Sequence, residues 1–426
     1  MKLERDRHPT GFFFIFWGEL AERASFYGMK GLLVMYMISK LGYTDADSGM
    51  VASFFTAACY ILPVLGGIIA DRWLGKFKTI VYFAIPYIMG HIILGTFTTE
   101  VGLYVALLLL AGGSGSIKPN ISTLMGQMYK KAGKEHLTSR AFTWFYMSIN
   151  IGAAMTMWTL PFIRDHYGYR TAFMAPTILM AVSLGIFYLG KKYYPVENMA
   201  EARKEQKTRT RWERREDRAA LRRLSGIFIL IVFFWSVFDQ SYSTWTFFAR
   251  DYLNLETPFG HIPADAIQGF NPILVVILTP LAAWFWKRKD RDESQKMPAV
   301  KKMMIGFWLT TACMGVMSVA GYYAAAMGKI SILWEVGAYI IMTAAELCIS
   351  PIGLQLAYEE APKHMKSLIT GTFLFMVFIG DIIAGFFTRM YTTMPPGSYF
   401  LIMTVMIMVV TVLFYFAGKR FERQRR

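Results

Sequence analysis

Twelve long apolar runs dominate the chain and restrict what it can fold into. A soluble domain is about 45–50% apolar and about 25% charged, whereas this chain of 426 residues is 55% apolar and 17% charged. Its apolar residues form continuous runs, which is typical of a protein that crosses the membrane many times. The runs are 11–39, 47–70, 79–98, 101–128, 141–163, 171–190, 226–249, 266–286, 303–324, 331–357, 367–388 and 398–417.

These runs predict an all-α membrane protein with twelve transmembrane helices in two bundles of six. They divide around a basic stretch, giving an N-terminal bundle at 1–192, a linker at 193–225, a C-terminal bundle at 226–418 and a basic tail at 419–426. The linker predicts either a helix on the inner leaflet, with Trp212 and Leu221 touching lipid, or a flexible charged segment. A six-plus-six layout with a cytoplasmic linker is typical of the major facilitator superfamily.

The positive charges predict the orientation of these spans. Of the 45 Lys and Arg residues, 36 fall in the N terminus, the even-numbered loops and the C terminus. Cytoplasmic loops are rich in Lys and Arg, so we expect a multi-pass plasma (inner) membrane protein with both termini in the cytoplasm. The basic residues are scattered over separate loops, which favours contact with anionic lipids and argues against nucleic acid binding. We expect a monomer.

Several other classes of protein are disfavoured by the sequence. The N terminus MKLERDRHPT runs directly into a span too long for a signal peptide, so we expect no cleavable signal. Cys59, Cys313 and Cys348 all lie in apolar runs, which favours small buried side chains over disulfides or metal ligands. The chain has no H-E-x-x-H, G-x-S-x-G or Walker motif. We therefore expect no enzyme, no metal and no cofactor.

The first predicted helix carries an unusual stripe of charge. A charge at bilayer depth costs about 2.5–3.5 kcal/mol on insertion scales, so it usually faces a partner or a watery cavity. At 100° per residue, positions 19, 22, 23, 26, 27 and 30 lie within an arc of about 140°. This face predicts the wall of a substrate or ion pathway, with a self-neutralising structural cluster as the alternative. Its charged members are Glu19, Glu22, Arg23 and Lys30.

Buried charges of opposite sign are divided between the two halves of the chain. Lys118 precedes Pro119 in a glycine-rich stretch where a helix can bend, and a buried ammonium needs an anion. The C-terminal half offers isolated carboxylates, among them Glu346 beside Pro351. A zwitterion between the halves could satisfy both ends. This pattern is expected for a peptide, with its carboxylate toward Arg23, Lys30 or Lys118 and its amino group toward Glu346.

Ordered motifs along the chain resemble one family. The loop sequence G-x-x-x-D-R-x-x-G-K at 67–76 resembles the signature of the major facilitator superfamily, although a tight basic turn after any helix is an alternative. Seven further matches are ELAERASFYG at 19–28, Tyr60-x-x-Pro63, GSGSIKPN at 113–120, FYMSINIG at 145–152, FWSVFDQ at 234–240, Asn271-Pro272 and ELCISPIGL at 346–354. Together they resemble the proton-coupled oligopeptide transporters, the POT or PTR family.

This resemblance implies a function and a set of site residues. It implies a symporter that imports di- and tripeptides with protons, by alternating access and with protons as the coupling ion. Proton coupling would involve Glu19, Glu22, Arg23, Lys118 and Asp239, the last pairing with Lys118 or Lys30. The implied substrate-binding residues are Arg23, Tyr27, Lys30, Tyr60, Lys118, Asn150, Trp235, Asn271, Glu346 and Phe373.

Departures from the family pattern leave alternatives open. Ala24, Phe26, Lys30, Asp239, Phe373 and Asp381 replace the usual residues, so di- and tripeptide selectivity does not follow securely. Asn150 and Asn271 could also serve only as hydrogen-bonding residues within the helix bundle. One alternative function is transport of another zwitterion or an anion, such as a modified amino acid or nitrate. The other is a transport-fold receptor that no longer cycles.

Overall fold

The computed structural model describes residues 7–195, 211–258, 260–289, 297–360 and 366–425. Their secondary structure is almost entirely helical, as the long apolar runs require in a medium that cannot hydrogen-bond to the backbone. The helices are α1 Thr10–Leu41, α2 Asp45–Ile69, α3 Lys76–Thr96, α4 Glu100–Lys131, α5 Thr138–Leu189, α6 Arg211–Phe238, α7 Thr244–Tyr252, α8 Phe270–Lys289, α9 Ala299–Met327, α10 Leu333–Glu360, α11 Lys366–Tyr391 and α12 Pro396–Arg425.

Short strands connect some of these helices. Strands β1 (Leu253–Asn254) and β4 (Ile330–Ser331) pair in parallel and join the end of α7 to the segment before α10. Strands β2 (Glu256–Thr257) and β3 (Gly260–His261) form an antiparallel pair. The β1–β4 pair holds two segments that are far apart in the sequence, so it fixes where α10 begins relative to α7.

Ten segments of the described chain are long and apolar enough to cross a membrane. The protein is therefore a multi-span membrane protein. The sequence predicted twelve spans, and the difference arises at two places. The charged helix α1 is not among the ten segments, although it has 32 residues. The two predicted runs 141–163 and 171–190 lie in one 52-residue helix, α5, which bends at Gly168.

The bend in α5 depends on a glycine. Gly168 has a φ of 81° and a ψ of 167°, a backbone conformation that residues with a Cβ atom rarely adopt. The helices on either side of it are joined without a loop. A residue with a side chain at this position would strain the connection.

The described chain clusters into two compact units. One comprises Met1–Gly42 and Ala58–Lys207, and the other comprises Tyr43–Ala57 and Thr208–Arg426. Helix α2 contributes to both units, because its first part, up to Ala57, belongs to the C-terminal unit and its remainder to the N-terminal unit. The linker predicted at 193–225 lies partly outside the described residues. From Arg211 onward it is continuous with α6, and the side chains of Trp212 and Leu221 are outside the description.

In the N-terminal unit, α1 packs closely against α5. The Thr156 hydroxyl donates a hydrogen bond to the Ala24 carbonyl over 2.8 Å. One turn earlier on α5, a Cβ atom at Gly152 would collide with the Leu20 carbonyl oxygen. The small residue therefore lets the two backbones approach, as is usual where membrane helices pack without a hydrophobic driving force. This contact holds the charged face of α1 in a fixed position.

In the C-terminal unit, a buried polar network joins three helices. The Gln240 side chain donates to the Ala384 carbonyl over 3.3 Å, and the Tyr399 hydroxyl donates to Gln240 Oε1 over 2.9 Å. Thr244 also donates to Gln240 Oε1, over 3.0 Å. The network fixes the short turn Asp239–Tyr242, which separates α6 from α7 within the run that the sequence predicted as one helix at 226–249.

The loop signature after α2 forms a π-helical turn at Ala70–Leu74. Gly75 then ends the turn with a φ of 78°. The Asp71 carboxylate forms an ion pair with Lys76, the last residue of the signature. The signature thus ends one helix and begins the next with a charge pair across the connection.

Candidate functional site

The charged residues of α1 form a buried cluster in the N-terminal unit. Arg23 is 1% exposed, and its Nε atom lies 3.2 Å from Glu19 Oε1, one turn earlier. Arg23 also forms an ion pair with Glu22, the preceding residue. Its guanidinium carbon lies 5.4 Å from the centre of the Phe26 ring. The polar stripe predicted from the sequence is therefore present as a network and faces the interior of the unit.

This cluster retains unused hydrogen-bonding capacity. Among the described residues, neither oxygen of Glu19 has a hydrogen-bond partner, and Arg23 Nη2 has none. Buried polar groups are normally satisfied, so unsatisfied ones need an explanation. An unsatisfied carboxylate can accept a proton, and a free guanidinium N–H can bind a carboxylate of another molecule. The cluster is equipped for both.

Lys118 on α4 completes the cluster. It interacts electrostatically with Arg23, Glu19 and Glu22, and its Nζ atom lies 4.8 Å from the centre of the Tyr60 ring. The four charges sum to zero, because two carboxylates face two cations. Adding one proton to a carboxylate would leave one positive charge in excess. One anionic group on a substrate would balance this additional positive charge.

Close helix packing positions Lys118. A Cβ atom at Gly115, three residues earlier on α4, would come within 2.6 Å of Leu62 on α2. At Gly113 the same atom would come within 2.5 Å of Tyr87 on α3. The glycines predicted to allow a bend at Pro119 thus also allow α4 to approach its neighbours. The close approach to α2 lies one turn before Lys118 on α4, and α2 also carries Tyr60.

The other predicted site residues of this unit lie nearby or elsewhere on its helices. Tyr27 is half-buried and interacts electrostatically with Arg23. Lys30 is buried, two turns beyond Arg23 on α1. Asn150 on α5 is buried, and its amide donates to the Tyr146 carbonyl of its own helix over 3.0 Å. The substrate roles of Tyr27, Lys30 and Asn150 stay predictions.

A second polar group lies in the C-terminal unit and joins α8 to α10. The Asn271 amide donates to Glu346 Oε2 over 3.0 Å and to Thr343 Oγ1 over 3.2 Å. Asp239, in the turn after α6, interacts electrostatically with Glu346. Two carboxylates therefore lie in one region. Because like charges repel, this region favours either a proton or an external cation.

Trp235 and Phe373 lie in apolar surroundings of the same unit. Trp235 is buried between the rings of Phe234 and Phe238, at centroid distances of 5.3 and 5.4 Å. Phe373 packs edge-on against Phe228 at 5.9 Å and against Gly353. Both positions serve core packing in this structure. Their predicted contact with substrate stays a prediction.

Sequence reasoning missed an ion pair in the C-terminal unit. Two Arg250 nitrogens donate to the two oxygens of Asp45, over 3.0 and 2.7 Å. Arg250 also donates to the adjacent Asp251 over 2.7 Å. A bidentate pair of this kind is geometrically specific. No periodic signal connects two residues 205 positions apart, although each is a charge at the edge of an apolar run.

Two uncharged partners were also missed. Tyr87 on α3 interacts electrostatically with Glu22 and Arg23, so it belongs to the first cluster. Thr343 could have been found, because it precedes Glu346 by three residues and therefore lies on the same face of α10. The described residues contain no group of three or more His, Cys, Asp or Glu side chains that could hold a metal ion.

Comparison with known proteins shows where the chain belongs. The model of the POT family (PTR2) matches residues 77–212 and 197–402, which together span most of the sequence. The chain belongs to the POT family. The POT family structure of PepTSo superimposes with a TM-score of 0.87 at 24% identity, covering 98% of this chain and 99% of that one. The similarity shows that this POT protein shares its fold.

Curated relatives of this POT protein have names that describe them as solute carriers or peptide transporters. The chain is 31% identical over 360 residues to solute carrier family 15 member 1 of Oryctolagus cuniculus, covering 71% of this chain and 51% of the relative. It is 32% identical over 316 residues to peptide transporter family 1 of Drosophila melanogaster, covering 64% of this chain and 42% of the relative. The chain thus spans about half the length of the curated relatives it matches. These matches are to transporters and not to enzymes.

Proposed function

We propose that this POT family protein is a symporter that imports short peptides together with protons by alternating access. One observation carries the proposal. Arg23, a buried cation with an unused donor, lies with the half-buried Lys118 in the N-terminal unit. The buried Asp239 and the half-buried Glu346 lie in the C-terminal unit. A short peptide is a zwitterion whose two charged ends are complementary to these groups. The peptide carboxylate would pair with the cations of the N-terminal unit, and the peptide ammonium group would pair with the carboxylates of the C-terminal unit.

We propose twelve transmembrane helices, the ten apolar segments plus two more. The additional two come from counting α1 as a span and α5 as two spans. Helix α1 is long enough to span a membrane of about 30 Å, because its 32 residues rise by about 48 Å. Arg23 forms ion pairs with Glu19 and Glu22 of the same helix, which removes part of the cost of placing these charges in the bilayer. Helix α5 counts as two spans, separated at Gly168. With the positive-inside rule, both termini then lie in the cytoplasm of a plasma membrane protein.

Proton coupling follows from the charge balance around Arg23. The cluster of Glu19, Glu22, Arg23 and Lys118 is neutral without a proton. A proton on Glu19 or Glu22 releases one cation, which can then bind the peptide carboxylate. A peptide carboxylate without the proton would place three anions against two cations in a buried site. The proton and the peptide therefore bind better together than either does alone.

The amino group of the peptide would bind in the C-terminal unit. Asn271 orients the Glu346 carboxylate and leaves its second oxygen available to an ammonium group. Asp239 adds a second negative charge in the same region, which strengthens attraction for a cation. Asn271 would also contact the peptide backbone, as would Asn150 on the other side. Tyr27, Tyr60, Trp235 and Phe373 would line the side-chain pockets, with Lys30 as a further carboxylate partner.

The Asp45–Arg250 ion pair would close the pathway on the external side. In the proposed orientation, α1 ends and α2 begins on the external side of the membrane. The region after α7 lies on the same side. The pair ties the start of α2 to α7, and it must break for this end of the protein to open. We further propose that the protein acts as a monomer surrounded by lipid and needs no cofactor.

Uptake into proteoliposomes tests the proposed function. Purified protein should accumulate a labelled dipeptide only when an inward proton gradient is imposed. An N-acetylated dipeptide should compete at least about tenfold more weakly, because Glu346 would be left without its cation. Equal competition by an amino acid conjugate or by nitrate would favour the alternative substrates. Binding without any uptake would favour a receptor.

A further inference from the structure

A buried serine on α1 joins this helix to two others. The Ser25 hydroxyl group lies 2.8 Å from Nε2 of His91 on α3 and 2.8 Å from the carbonyl oxygen of Pro176 on α5. Ser25 and His91 are both fully buried. At 100° per residue, Ser25 falls outside the arc that contains Glu22 and Arg23. The transport cycle proposed above uses neither the serine nor the histidine.

The direction of both hydrogen bonds follows from the chemistry of the groups. A carbonyl oxygen can only accept, so the Ser25 hydroxyl donates its single hydrogen to Pro176. The Ser25 oxygen then accepts from the imidazole of His91, whose Nε2 atom must carry the hydrogen. Among the described residues, Nδ1 of His91 has no hydrogen-bond partner. The two bonds thus form a directed chain from α3 through α1 to α5.

The imidazole ring of His91 is held in place by its neighbours. Tyr87, one turn earlier on α3, stacks on it with 5.1 Å between the ring centroids and 24° between the ring planes. A Cβ atom at Gly90, the residue before His91, would come within 2.8 Å of Leu110 on α4. Helix α3 is therefore packed directly against α4, and a closely packed ring has little room to move. His91 thus links α1 to the packed pair of α3 and α4.

This link connects the two helices that carry the cations of the first cluster. Arg23 precedes Ser25 by two residues on α1, whereas Lys118 lies on α4. The Ser183 hydroxyl donates to the Gly18 carbonyl over 2.7 Å, and this bond holds α1 against α5 rather than against α4. The bond from the imidazole adds a tie to the pair of α3 and α4. It therefore helps to set the spacing of the two cations.

We propose that His91 is a positioning residue for the carboxylate end of the peptide. The proposal rests on the proposed function, in which Arg23 and Lys118 bind that carboxylate. His91 does not touch the peptide, but through Ser25 it holds α1 at the distance from α4 at which both cations reach one carboxylate. Loss of its hydrogen bond leaves the buried Ser25 oxygen without a donor and lets α1 shift against α4. Recognition of the peptide ammonium group in the C-terminal unit does not depend on this bond.

Binding of a free dipeptide and of its C-terminal amide to the purified protein in lipid nanodiscs tests this role. The amide lacks the carboxylate, so it reports on every contact except those with the two cations. The parent protein should bind the free dipeptide more tightly. His91→Leu should weaken binding of the free dipeptide by about 2–10-fold, as expected for one hydrogen bond, and leave binding of the amide nearly unchanged. A general loosening of the N-terminal unit would weaken both peptides.

Matched variants guard against misfolding. His91→Gln supplies an amide N–H and should keep most of the preference for the free dipeptide. Ser25→Ala removes the acceptor and should match His91→Leu, and the two changes together should be non-additive. His166→Leu makes the same substitution at an exposed histidine of α5 and should follow the parent protein. Nitrogen-15 spectra of histidine-labelled protein should show a hydrogen on Nε2 of His91, with a resonance that shifts in Ser25→Ala.

The outcomes distinguish this role from the proposed function. A parent protein that prefers the free dipeptide, with the same preference in His91→Leu, would overturn the role of His91 alone. Equal weakening of both peptides in His91→Leu would do the same. If His91→Leu does not fold, Ser25→Ala provides the same comparison. A parent protein that binds both peptides alike would overturn the proposed carboxylate site together with the role of His91.

Discussion

Breaking the Asp45–Arg250 ion pair should open the external end of the protein. The variant Asp45→Asn keeps the shape of the side chain and removes its charge, so packing at the start of α2 is preserved. Arg250 keeps its second partner, Asp251, and is not left without a counter-ion. The change therefore isolates the energy that the bidentate pair contributes to the closed state.

The geometry gives the size of the effect. The Arg250 and Asp45 side chains are 28% and 26% exposed, so solvent screens the pair in part. Exposed pairs contribute about 0.2–1 kcal/mol, and hydrogen bonds to charged groups contribute about 1.5–3 kcal/mol. A value of about 1–2 kcal/mol lies between these limits, and it corresponds to a shift of about 5–30-fold in the open population.

Thiol labelling would measure this population. Ser243 is 2% exposed, and its hydroxyl group lies 3.1 Å from that of Thr388. In a Ser243→Cys background, a membrane-impermeant maleimide should react about 5–30 times faster when Asp45→Asn is added. Asp165→Asn, which removes another carboxylate of an arginine pair, serves as the control and should leave the rate unchanged. An unchanged rate in Asp45→Asn would refute the assignment of this pair to closure.

Three further predictions concern the charged groups. Glu22→Gln should abolish gradient-driven uptake and partly retain counterflow exchange, and accumulation like that of the parent would show that Glu22 does not couple protons. Asp239→Ala and Lys118→Ala should each impair transport strongly and combine non-additively, whereas additive losses would argue against a shared interaction. Burial, aided by nearby basic side chains, lowers the pKa of His8, whose Nδ1 atom lies 2.5 Å from the Tyr129 hydroxyl. Its proton affinity is therefore lower in the fold than in the free chain, so acidification should weaken this contact, and its NMR titration midpoint should fall below about 6.5. A midpoint at or above that value would contradict the effect of burial.

The membrane architecture could be predicted from the sequence because long stretches of high hydropathy indicate segments that are surrounded by lipid. Long apolar runs correspond to the long helices. The charged face of α1 is buried within its unit, and its role as the wall of a pathway stays a prediction. The break at Asp239–Tyr242 was not predicted, although polar residues at 239–244 interrupt the apolar run, because the turn depends on Gln240 bonding to two other helices. The break between the predicted runs 141–163 and 171–190 is present as the non-helical backbone at Gly168, although no loop separates the two helices there.

Only part of the candidate site could be predicted from the sequence. A motif supplies residues that are near in sequence, such as Glu19, Glu22 and Arg23, and helical periodicity places them on one face. A motif does not identify which distant residue a side chain contacts in the folded protein. The Asn271–Glu346 hydrogen bond and the Asp45–Arg250 ion pair both join distant segments, and their geometry depends on packing that no local pattern records.

Gradient-driven uptake of a free dipeptide and its N-acetylated form, compared in the parent protein and in Glu346→Gln, tests the central claim most directly. The parent should accumulate the free dipeptide under an inward proton gradient and discriminate against the acetylated form by at least about tenfold. Glu346→Gln should narrow this difference, because the group that recognises the ammonium has lost its charge. Equal transport of both dipeptides by the parent protein, or uptake that ignores the proton gradient, would contradict the account.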